Sequence, residues 1–246
     1  MLNLLRADFY KLRRSKTFFI CLGILALIVA YIIIDFGSSA HIKEYSPSTF
    51  HWIYMLFQVP YFIPLLQSIF ITMFITTEYS NGTIKDSVSL GFSRTKIYMS
   101  KLVTISMGSI LMMLTAMLSI VITSIFVFGI YGSFLMGDLL LLVRIFIIKS
   151  LLYTAYGSIF LMIAFLIKNI GGTMAFSIFF SLILGSLGSI VGNGYLGRTL
   201  LFMNFSPNAM PHPQAVDIRI AITVALLYLV LSSGIGGFIF NKQDIK

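Results

Sequence analysis

Long apolar runs alternate with short polar connections along this chain, and their spacing predicts six membrane-crossing helices. The runs fall at about residues 17–34, 53–77, 102–130, 139–167, 173–191 and 220–240, each near or above the roughly 20 residues that cross a hydrocarbon core. Ahead of them, residues 1–16 place Leu2, Leu5, Phe9 and Leu12 at helical spacing. Arg6, Lys11, Arg13, Arg14 and Lys16 lie largely elsewhere around that helix, which predicts an amphipathic segment at the membrane surface. The second run carries Pro60 and Pro64, expected to kink it or mark its start, with the interfacial aromatics Trp52, Tyr54 and Tyr61 at the same end. The fourth run is too long for one untilted crossing, so its first turns, with Arg144 and Lys149, are expected at the outer interface.

Residues 192–219 read as an irregular outer connection containing Pro207, Pro211 and Pro213, and 196–205 is apolar enough for a short outer helix. The expected fold is an all-α membrane protein of six transmembrane helices, one domain over residues 1–246.

Composition agrees. The 246 residues are 58% hydrophobic and 10% charged, with a mean hydropathy of +0.98, whereas soluble domains carry about a quarter charged residues. A net charge of +9 would suggest nucleic acid in a soluble protein. Here the basic residues cluster beside apolar runs, so their partners are anionic lipid head groups and no nucleic acid is expected. With an N-terminus on the cytoplasmic side, that side holds twelve of the seventeen lysines and arginines, which predicts both termini inside. The start reads as a retained first helix, since no small-residue cleavage pattern follows it.

Candidate chemistry is sparse. Cys21 is the single cysteine, and His41, His51 and His212 show no ligand spacing, so no metal is expected. The chain lacks a glycine-rich phosphate loop, an HExxH helix and a GxSxG elbow, which argues against catalysis and against a cofactor in this chain. Arg144 and Lys149 are ionisable groups within a span and could line an outer vestibule; the plainer expectation is snorkelling to head groups.

Residues 78–101 (EYSNGTIKDSVSLGFSRTKIYMSK) carry the most information. Glu78 ends the second run, where a carboxylate needs a partner or water. Asn81-Gly82 suits a sharp exit, Thr83 can cap a short helix over 84–90 with Ile84 and Val88 on one face and Lys85 on another, and Gly91 ends it. Ser93 then caps the next helix, whose first turns bear Arg94, Lys96 and Lys101. Singly, these residues read as terminators, turn glycines and cationic anchors; jointly, they describe a surface helix slung between two spans.

That pattern resembles the segment between the second and third helices of ABC type-2 exporter permeases. The basic start ADFYKLRRSK, the six-helix layout, the irregular outer loop and the closing Phe240-Asn241-Lys242-Gln243-Asp244 resemble the family too. The resemblance implies a coupling helix docking on a cytoplasmic ATP-binding subunit through Glu78, Gly82, Thr83, Ile84, Lys85, Val88, Arg94 and Lys101. It further implies two such subunits holding ATP and Mg, a second permease copy, and a bacterial plasma membrane. Among small permeases the likeness is to exporters of bacitracin or lantibiotic-type peptides that confer resistance or self-immunity. Other readings are an ATP-independent transporter and a membrane immunity or sensor protein.

Overall fold

The computed structural model describes residues 1–38, 62–128, 136–191, 200–204 and 214–243. They form α1 (Leu2–Arg14), α2 (Lys16–Ser38), α3 (Phe62–Ser80), α4 (Thr83–Ser89), α5 (Arg94–Phe128), α6 (Met136–Ile167), α7 (Ile170–Val191), a 3-10 turn (Leu201–Asn204) and α8 (Ala215–Lys242). Among the described residues there is no strand. The expectations for Pro60, the three histidines, Trp52, Tyr54, Tyr61 and most of the outer connection fall outside the described residues. Pro64 sits in the first turn of α3, where its missing N–H interrupts no helical bond.

Among the described residues, four helices are long and apolar enough to cross a membrane: the stretches Lys16–Asp35, Arg94–Val127, Leu139–Ile167 and Ala215–Lys242. A shorter apolar stretch is Ile170–Ile183. Large apolar side chains such as Leu27, Tyr31, Ile122, Phe126, Val230 and Phe238 point outward, as lipid contact requires.

The hub is α6. In its most apolar window 72% of residues are buried, against 22% for α2, 28% for α5 and 17% for α8, and it packs on α3, α5, α7 and α8. Small residues let its neighbours close in: a Cβ at Gly157 would come 2.7 Å from Gln67 Nε2 and 3.1 Å from Ser109 Oγ. Gln67 uses that proximity to pin three helices, donating to Ser109 Oγ at 2.6 Å and to the Tyr153 carbonyl at 2.8 Å. Ser158 of α6 meets Ser232 of α8 at 2.6 Å, and the Tyr98 hydroxyl of α5 donates to the Ser232 carbonyl at 3.4 Å. In hydrocarbon such cross-helix bonds contribute about 0.6–2 kcal/mol each.

The helix α7 is built the other way. Of its side chains over 170–183, only Thr173 and Ser177 are buried, while Phe176, Phe179 and Leu182 face outward. It packs on α3, whose Ser68, Thr72 and Thr76 repeat every fourth residue and are also buried. The hydroxyls of Thr72, Thr173 and Ser177 have no hydrogen-bond partner among the described residues. An unsatisfied buried hydroxyl costs about 1–3 kcal/mol, so this seam is held less tightly than the pinned remainder.

The first helix has three faces. Leu4, Asp8, Lys11 and Leu12 turn toward the bundle, Leu2, Leu5 and Phe9 form the adjoining apolar strip, and Arg6, Arg13 and Arg14 are exposed on the third side.

Candidate coupling site

Local backbone chemistry makes the element between α3 and α5. The last turn of α3 is closed by Asn81 N–H on the Thr77 carbonyl (3.0 Å) and Gly82 N–H on that of Tyr79 (3.2 Å). Gly82, at φ 72°, then turns the chain through the left-handed region. Seven residues of helix follow, and Gly91, at φ 83°, turns the chain out again, its N–H on the Val88 carbonyl at 3.0 Å. The N-cap is Gly82 rather than Thr83; the Thr83 hydroxyl reaches back to the Glu78 carbonyl at 3.2 Å and ties the short helix to the end of α3.

Ile84 is buried against the bundle and Val88 partly so, while Lys85, Asp86, Ser89 and Leu90 face away. Leu90 is 76% exposed at the tip of the element, the most exposed large apolar side chain on it.

Beneath this helix lies a knot of four charges. Glu78 Oε1 accepts from Lys101 Nζ at 2.7 Å and from Lys11 Nζ at 2.7 Å. Lys101 also pairs with Asp8, whose other oxygen accepts from Ser100 Oγ at 2.6 Å. Lys11 donates further to the Phe74 carbonyl at 2.8 Å and lies 4.3 Å from the centre of the Phe74 ring. Asp8 is 4% exposed, Glu78 6% and Lys101 6%, so the pairing offsets the cost of taking these groups out of water. Burial pulls the Lys11 ammonium below its ordinary value, and the facing Glu78 opposes that shift only in part. A cleft of about 230 Å³ opens beside the knot, between α1 and α4, with Leu4, Lys11, Glu78, Thr83 and Ile84 in its wall.

Of the residues expected to act together, Glu78, Thr83, Ile84 and Lys101 meet around this cleft. Arg94 does not join them. Its guanidinium turns to the end of α8, donating to the carbonyls of Asn241 (2.9 Å), Phe240 (3.4 Å) and Gln243, and Gln243 in turn donates to the Phe165 carbonyl at 3.0 Å. Sequence reasoning missed Asp8 as a partner of Lys101. The available signal was an acid three residues before Lys11 on the bundle-facing side of an otherwise basic helix. Arg144 is partly exposed, and Lys149, at 2% exposure, is buried in the bundle instead of snorkelling along its lipid face.

The knot, the Arg94 contacts and the approach of Lys168 to the Tyr79 ring (5.7 Å) place α1, α4, the α6–α7 turn and the end of α8 at one end of the bundle. A multi-pass helical bundle with a short surface helix rooted in its charged end has the build of a transporter's membrane domain. Residues 4–188 match the family described as ABC-2 family transporter protein, and the chain belongs to that family. It is a membrane-embedded permease component of an ABC transporter, a part that transports and does not catalyse; such permeases work with ATP-binding subunits. Comparison with curated proteins returns no match.

Proposed function

We propose that the chain is the permease subunit of an ATP-driven exporter in the bacterial plasma membrane, crossing six times with both termini and α4 in the cytoplasm. The helix α4 is the handle on which an ATP-binding subunit pushes. The observation that carries this is the knot beneath α4: it ties α1, α3 and α5 to one another, and the Thr83 hydroxyl ties α4 to the Glu78 carbonyl, so a force on α4 reaches two crossing helices without being lost in a loose loop. The exposed Leu90 and Lys85 are the contact surface, and Ile84 and Val88 transmit the load inward. Gathering of the basic segments at one bundle end supports the orientation.

Two copies, or this chain with a related one, bind two ATP-binding subunits, which hold the ATP and Mg. Closure of those subunits tilts α3 and α5 together with the helices bonded to them, with the glycines at 185 and 188 of α7 as bending points. The cargo is a hydrophobic or amphipathic peptide of the bacitracin or lantibiotic type, and export confers resistance or self-immunity. Arg144 and Lys149 lie toward the opposite end of α6 and bear on the outer part of the path.

Purification from the native membrane is expected to bring a Walker-type ATP-binding subunit along. Leu90→Asp is expected to release that subunit while the bundle stays folded. Retention of full transport by a preparation lacking any ATPase, or labelling of Lys85 from outside the cell, would rule the reading out.

A further inference from the structure

The pinned helices and α7 differ in what holds them. α3, α5, α6 and α8 exchange side-chain hydrogen bonds across helices. α2 has none of these but buries Phe18, Cys21, Leu25 and Ile33. Over residues 170–183, α7 buries only the hydroxyl residues Thr173 and Ser177; the Ser181 hydroxyl donates to the Ser177 carbonyl of its own helix, and the Gly171 N–H donates to Asn169 Oδ1 at the turn before it. What it presents to α3 is hydroxyl, and it turns its phenylalanines outward.

The two hydroxyl rows lie on helices that pack against each other. Thr76 of α3 and Ile170 of α7 wall the same cleft at the α6–α7 turn. The helices run antiparallel from there, so Thr173 and Ser177, four residues apart, climb beside Thr76 and Thr72. Three fully buried hydroxyls in that seam lack a partner among the described residues. A seam that stayed dry through the whole cycle would gain by exchanging them for the leucine and phenylalanine now spent on lipid. Hydroxyls are the residue choice for a contact that is dry in one state and wet in another, because water satisfies them when the helices part.

We propose that α7 is the moving helix of this permease and that the hydroxyl-lined seam between α7 and α3 opens to water in each cycle. The pinned helices move as one body, and α7 leaves it by parting the seam of hydroxyls. Thr72, Thr173 and Ser177 line the opened slot, and the ligand they take there is water. This motion rests on the proposed function only in that ATP drives the cycle.

Because Cys21 is the chain's single cysteine, Cys21→Ser gives a background without thiols. In it, Ser177→Cys is treated in whole cells with N-ethylmaleimide, which reacts only with hydrated thiols, with cellular ATP present or depleted. Opening that raises the hydrated fraction from about one part in a hundred to a tenth or more increases labelling on the order of tenfold. Thr173→Cys should follow it, and Phe176→Cys on the lipid face should not. Labelling of both seam positions that is equal with and without ATP overturns the inference. If an ATP-binding subunit co-purifies while seam labelling stays flat, the moving-helix inference fails and the coupling reading stands. If seam labelling depends on ATP and no ATPase is associated, the moving helix stands and the coupling reading fails.

Discussion

Lys101 Nζ stands 2.7 Å from Glu78 Oε1, with both side chains less than a tenth exposed, although 23 residues and the whole of α4 separate them along the chain. The lysine closes the loop that begins where the glutamate ends α3. Removing one partner of a buried pair leaves the other charge stranded, at about 3–5 kcal/mol. Lys101→Met should therefore lower the thermal midpoint in detergent sharply, and adding Asp8→Asn should recover part of the loss. A wild-type midpoint for Lys101→Met would show that the knot contributes nothing.

Arg94 should matter for the opposite end of the chain. Its guanidinium sets one nitrogen, Nη1, against three carbonyls at the end of α8. Arg94→Ala should raise hydrogen exchange over residues 238–243. Charged hydrogen bonds of this kind contribute about 1.5–3 kcal/mol, so protection in that stretch should fall while exchange in α2 stays unchanged.

The pH dependence of the knot follows from Lys11. Its folded-state pKa lies below the ordinary lysine value of 10.5, chiefly because the ammonium is desolvated. In the window between the two values the unfolded chain holds more protons than the folded one, so this group's contribution to stability rises with pH there. The midpoint of the wild type minus that of Lys11→Met should grow as the pH rises toward that ordinary value. A difference that shrinks over that range would contradict the assigned direction.

Tyr98 fills the space left by a missing side chain. A Cβ on Gly236 would meet the Tyr98 hydroxyl first and the ring next, and the ring is wedged against Phe165 with centroids 5.1 Å apart. Gly236→Ala should cost about 1–3 kcal/mol by overpacking. Tyr98→Phe, which deletes the nearest atom, should return part of it. Equal midpoints for Gly236→Ala and the wild type would mean that α5 and α8 part freely at this level.

Much of the architecture was legible because membrane helices announce themselves by length and apolarity. The apolar run at 220–240 is the middle of α8, and the short helix expected over 84–90 forms at 83–89. The face assignments for Ile84, Val88 and Lys85 hold as well. What could not be read were the partners across space. Lys101 and Arg94 look alike as cations at the start of a span, yet one is buried between two acids and the other caps a helix some 147 residues onward. Lys149 has the sequence context of a snorkelling lysine, and only the packing of α6 at the centre of the bundle buries it. A helical wheel of α1 shows one apolar strip; the second, bundle-facing strip mixes Leu4 and Leu12 with Asp8 and Lys11 and has no hydrophobic period to betray it.

The distances along the chain inside the knot also set an order of events during synthesis. Asp8 leaves the ribosome 93 residues before Lys101, and Lys11 leaves 67 residues before Glu78. Through that interval the charge partners of Asp8 and Lys11 are incomplete, and Leu2, Leu5 and Phe9 suit the helix to the water–lipid boundary. Its charges are locked away only after the hairpin bearing Glu78 and Lys101 has been delivered, so α1 is fastened by segments made well after it, a clasp whose parts are all present before the central helix α6 emerges.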